Sequence, residues 1–177
     1  MPKYVAFLRA INVGGHTVKM DHLRSLFEAM GFSNIETFIA SGNVIFDSKS
    51  KSPKALESKI ERALAANLGY KVATFIRSIS ELAAVAQYKP FHDCGEDGNV
   101  LYIGFVADNP GEESKQRLLS FTTEVDDFHI HGSEVYWLCR RKLGASDFPG
   151  TKFEKSLGMP ATLRNSNTVV KIALKYS

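Results

Sequence analysis

Leu8 to Met20, reading LRAINVGGHTVKM, contains the residues best suited to chemistry. An apolar run ends at Arg9, Asn12 precedes the pair Gly14-Gly15, and a helical pattern begins near Asp21. Glycines between a strand and a helix let backbone N–H groups approach an anion, and a guanidinium alongside suits a phosphate or carboxylate. Ser41-Gly42-Asn43 would add a hydroxyl and an amide to orient such a ligand. A structural reading competes. Gly14 and Gly15 permit positive φ, Ser41-Gly42-Asn43 is ordinary hairpin chemistry, and Asp21 at the helix start would itself cap the free N–H groups. The stretch is not a P-loop, because G-x-x-x-x-G-K-[ST] is absent.

Other chemistry is thinner. His129 and His131, two apart on a strand, would point to one face and could ligate a metal, but a surface pair explains them more simply. His92-Asp93-Cys94 lies in a loop, where neighbouring residues rarely reach the geometry of a Cys–His nucleophile. No H-E-x-x-H, G-x-S-x-G or G-x-G-x-x-G occurs, and Trp137 reads as core. With no nucleophile, base or metal set, the expectation leans to a non-catalytic protein without cofactor or metal.

Charge supplies a second theme. From Leu138 to Ser177 eight Lys or Arg stand against Asp147 and Glu154, while the preceding residues are net acidic. Arg140, Arg141, Lys142, Lys152, Lys155, Lys171 and Lys175 could therefore meet an anionic partner such as nucleic acid, although a solvated face would look the same. Cys94 and Cys139 form no disulfide framework, and YVAFL is too short for a signal or membrane segment. A cytoplasmic protein with reduced thiols and no membrane partner is expected; oligomeric state cannot be read.

The elements that must position these residues repeat. YVAFLRAIN matches LYIGFVADN, and DHLRSLFEAMG matches PGEESKQRLLSF. IETFIASGNVIF matches VDDFHIHGSEVYW, each being two strands about a glycine turn, at Gly42 and Gly132. The first half continues with a helix begun by Ser52-Pro53, lined by Leu56, Ile60, Leu64 and Leu68 and closed by Gly69, and then the strand KVATFIRS. Strand-helix-strand-strand-helix-strand is the ferredoxin-like order. The fold class is thus α+β, two ferredoxin-like halves in one compact unit with largely antiparallel sheets. Residues 1–88 form the first half with a connecting helix, 89–177 the second with a basic C-terminal helix. In this topology the loop after the first strand and the turn between the second and third share one sheet edge, so Arg9, Asn12, Gly14 and Gly15 should adjoin Ser41, Gly42 and Asn43. Thr151 and Glu154 suggest a capping box. The segment 166–176 fits a strand or a helix, with helix favoured. The first-half strands look apolar on both faces and lack the RNP1 pattern, which speaks against RNA stacked on an open sheet.

LRAINVGG, SGNVIF, KPF and TLRNSNTVVK together resemble the bacterial family catalogued as domain of unknown function 1697. The resemblance spans essentially the whole chain and implies two ferredoxin-like subdomains, with no activity attached. It adds Thr162, Arg164 and Asn165 to the candidate ligand residues. The chain departs from the family pattern at Ser166, where an aromatic is usual, and at Lys89, where asparagine is usual. The leading expectation is a binding module for a small phosphorylated or carboxylated ligand at the glycine loop, and the alternative is nucleic-acid or protein binding by the basic C-terminal quarter.

Overall fold

A computed structural model describes residues 1–9, 11, 17–38 and 42–177. They divide into two compact units, Met1–Ala83 with Ile172–Ser177, and Ala84–Lys171. The fold is α+β, with two four-stranded antiparallel sheets and six α-helices among the described residues.

The first unit runs β1 (Lys3–Leu8), α1 (Met20–Ala29), β2 (Ser33–Thr37), β3 (Asn43–Asp47), α2 (Pro53–Leu68) and β4 (Thr74–Ser78), with sheet order β2-β3-β1-β4. Alternation in β1 sends Tyr4, Ala6 and Leu8 into a core with Leu23 and Phe27 of α1 and Leu56, Ile60 and Leu64 of α2. Val5 and Phe7 on the other face are equally buried, which accounts for apolar residues on both faces of β1 beyond Lys3. The Ser52 hydroxyl accepts the Ala55 N–H at 3.2 Å, Pro53 opens α2, and Gly69 closes it in the left-handed conformation. At α1 the expectation needs correcting. Lys19 occupies the cap position with no side-chain cap, and Asp21 sits inside the first turn, where it meets the helix dipole rather than capping.

The connecting helix α3 (Ile79–Gln87) precedes β5 (Asn99–Phe105), α4 (Glu112–Leu119), β6 (Asp126–His131), β7 (Glu134–Arg140), a single 3-10 turn at Arg141–Leu143, α5 (Thr151–Leu157), β8 (Thr162–Asn165) and α6 (Ser166–Tyr176). The second sheet has order β6-β7-β5-β8, which places its strands as the first sheet places β2, β3, β1 and β4. Its core joins Leu118 of α4, Phe153 and Leu157 of α5, and Phe128 and Trp137 of the sheet. Gly104 makes room: a Cβ there would lie 2.7 Å from the Phe153 ring. The capping box at α5 is absent, because Thr151 is already helical and Gly150 caps the helix without a side-chain bond. Residues 166–176 are helix, and the strand completing the second sheet is the four-residue β8 just before them.

Candidate functional site

The edge of the first sheet is built where β1 ends. Leu8 donates its N–H to Gly42 O at 2.8 Å, and Arg9 donates its N–H to Ala73 O at 2.9 Å, so both neighbours of β1 hold the chain as it leaves the sheet. Gly42 has φ +84°, and a Cβ there would stand 3.0 Å from both Leu8 Cβ and Leu8 O, and 3.2 Å from Ile11 Cγ2. Only glycine tolerates that conformation and that approach together. Ile11 is buried in the core, and its carbonyl accepts the Tyr70 hydroxyl at 2.8 Å. Buried Asn43 donates its amide to Phe38 O at 3.1 Å, and Phe38 N–H returns to Asn43 O at 3.0 Å, which closes the hairpin. Arg9, Gly42 and Asn43 therefore share one edge, with the Arg9 side chain half-buried. Asn12, Gly14, Gly15 and Ser41 lie outside the described residues.

Thr162, Arg164 and Asn165 lie on β8 of the second unit. Arg164 Nη1 donates to Thr162 Oγ1 at 2.6 Å and to Leu163 O at 3.0 Å, and burial pushes the guanidinium down to about 10. Asn165 Oδ1 accepts the Asn167 N–H at 2.9 Å, an Asx turn that starts α6.

The seven basic residues have different surroundings. Arg140 binds Asp93 at 2.6 Å and Asp127 at 3.2 Å; the Asp93 hydrogen bond raises the guanidinium and holds the carboxyl below its usual range. Its charge is largely neutralised in place. Arg141 donates to the Tyr102 hydroxyl at 2.9 Å, and the Lys142 stem covers Gly98. Lys152 stands 5.3 Å above the Phe121 ring and, with Lys155 and Arg117, lines a cleft between α4 and α5. Lys171 is exposed, and Lys175 lies over the rings of Phe38 and Tyr176.

His129 and His131 do share a face, where Tyr88 occupies them: its hydroxyl is 2.7 Å from His129 Nε2 and its ring stacks on His131 at 4.1 Å. Among the described residues no three His, Cys, Asp or Glu side chains converge as metal ligands, and no helix is long and apolar enough to cross a membrane. Arg141 and Asn165, singled out for unrelated reasons, line one groove of the second unit with Tyr102, Trp137, Ser146 and Phe148.

Among solved structures the chain is similar to a conserved bacterial protein from Streptococcus pneumoniae, with 23% identity over 98% of this chain and 97% of that one and a TM-score of 0.71. At that identity the likeness speaks for the fold. No curated protein matches. The family model described as protein of unknown function (DUF1697) matches residues 1–136, well over half of the chain, and the protein is therefore a member of that family.

Proposed function

We propose that the protein is a non-catalytic binding module for a small phosphorylated or carboxylated ligand, held where β1 leaves the first sheet, within a pair of ferredoxin-like subdomains. The observation that carries this reading is the anchoring of the loop's beginning. Leu8 and Arg9 are fixed by Gly42 and Ala73, and Ile11 is fixed by the core and by Tyr70. Fixing Leu8, Arg9 and Ile11 in advance lowers the ordering cost of a ligand held next to them. The half-buried Arg9 guanidinium supplies charge there. Gly42 and Asn43 act as the frame of the site, since the steric fit of one and the amide of the other go to the backbone.

The test is thermal denaturation with sugar phosphates, dicarboxylates, nucleotides and short DNA and RNA at low and moderate salt. A ligand at a hundredfold its Kd stabilises by about 2.7 kcal/mol, roughly 5–10 °C for a chain of this size. Arg9→Ala is expected to abolish the rise with a small anion, and a cooperative unliganded transition of the variant shows that the fold is retained. Full retention of the rise in Arg9→Ala would move the site elsewhere. A rise seen with nucleic acid alone and erased by salt would favour the basic C-terminal quarter instead.

A further inference from the structure

The groove of the second unit has a volume of about 690 Å³, within the roughly 300–1,000 Å³ of small-molecule sites. Its floor follows from strand register. Tyr102 of β5 pairs with Trp137 of β7 on one side and with Asn165 of β8 on the other. Directly paired residues project to the same face, so the three side chains form a row across three strands, with the Tyr102 and Trp137 ring centroids 5.3 Å apart.

A buried carboxylate fixes the wall. Asp126, 1% exposed, accepts from Trp137 Nε1 at 2.9 Å, from Ser146 Oγ at 2.8 Å and from Cys139 Sγ at 3.6 Å. Each of those three residues lines the groove. Phe148 packs edge-on against Trp137, with centroids 5.3 Å apart. The indole N–H is thus committed inward, and Trp137 presents apolar surface to the groove. Shape held by this many directional bonds is preorganised.

The polar groups that remain are mostly donors. The exposed Arg141 guanidinium uses one N–H on the Tyr102 hydroxyl at 2.9 Å and keeps others. Asn165 spends its carbonyl oxygen on Asn167 and keeps its amide nitrogen. Arg141 is the charged residue of the lining, which contains no Asp or Glu. An aromatic floor joined to a guanidinium and an amide complements a flat ring that carries negative charge.

We propose that this groove binds a small aromatic anion, its ring lying along the Tyr102–Trp137 row and its phosphate or carboxylate meeting Arg141 and Asn165. The site is independent of the glycine-loop edge. Nucleoside monophosphates and simple aromatic carboxylates both carry the required chemistry.

Trp137 is the chain's single tryptophan, so its indole N–H gives one cross-peak in a nitrogen-15 correlation spectrum of the full chain. AMP, UMP and benzoate would be titrated separately, with adenosine and inorganic phosphate as the ring without charge and the charge without ring. The expected result is a saturable shift of the indole peak by at least one ring-bearing anion, with adenosine and phosphate each at least tenfold weaker. Whichever arm saturates at the lowest concentration identifies the source of the anion. Arg141→Gln should raise Kd about tenfold to a hundredfold, as loss of a charged hydrogen bond predicts, with the unliganded spectrum preserved. Tyr102→Phe keeps the ring but frees Arg141, and should raise Kd by a smaller factor. An indole peak unmoved by every ring-bearing anion at millimolar concentration would overturn the proposal. So would phosphate binding as tightly as AMP, or unchanged affinity in Arg141→Gln.

Discussion

Cys139 and Cys94 are both free thiols in very different settings. Burial, reinforced by the carboxylate of Asp126, pushes the Cys139 thiol up to about 12, whereas Cys94 is half-buried in a loop. The thiolate is the form that attacks a thiol reagent, so the native protein should react with one equivalent quickly and with a second only on unfolding. Rapid labelling of both in the native state would contradict the buried position of Cys139. His129 makes a different prediction. Burial chiefly lowers its pKa, His131 and Lys115 add to the shift, and Asp127 opposes it. Below the ordinary histidine value of about 6.5 the unfolded chain therefore binds more protons than the folded one, and stability falls as the pH drops, levelling off below the folded pKa. Urea titrations between pH 7 and 5 should show this fall. His129→Gln, which can still pair with Tyr88, should flatten it, and an unchanged slope would assign the effect to other groups.

At the scale of elements, Gly42 is the sharpest case. Alanine there would combine a left-handed backbone with contacts of 3.0 Å to Leu8, and is expected to destabilise by about 1–3 kcal/mol in urea unfolding. Less than about 0.5 kcal/mol would show that the turn relaxes around the methyl group. Gly42 also marks what was legible. Its hairpin role could be read from Ser41-Gly42-Asn43, because turn chemistry is local, and α2 could be read from Ser52, Pro53 and Gly69 for the same reason. The caps fall at Lys19 and Gly150 and not at Asp21 and Thr151, because a cap depends on where the chain enters the helix and a shift of one or two residues moves a side chain out of reach. β8 is not legible in the sequence, because four residues carry too little alternation to stand out beside a long helix. Of the site residues, Arg9 and Asn43 could be placed at one edge from topology. The groove could not: Asp126, Ser146 and Trp137 are distant in sequence, and nothing in their spacing announces a shared hydrogen-bond network.

For the molecule as a whole, the informative feature is a unit assembled from two stretches of chain. Ile172, fully buried, and Ala173 belong with Met1–Ala83, and the Tyr176 hydroxyl donates to Glu36 within the same unit. Ile172→Ala removes core volume and should cost about 2–5 kcal/mol. Hydrogen exchange should register the loss first in the amides of residues 1–83; a loss confined to residues 84–171 would place the Ile172 contribution in the other unit. The same division also orders events on the ribosome. The second unit is one continuous stretch, so every residue it needs has been made once Lys171 is added. The first unit, although synthesised earlier, lacks part of its core until Ile172–Ser177 follow, and so the half of the protein that is translated first is the half that is completed last.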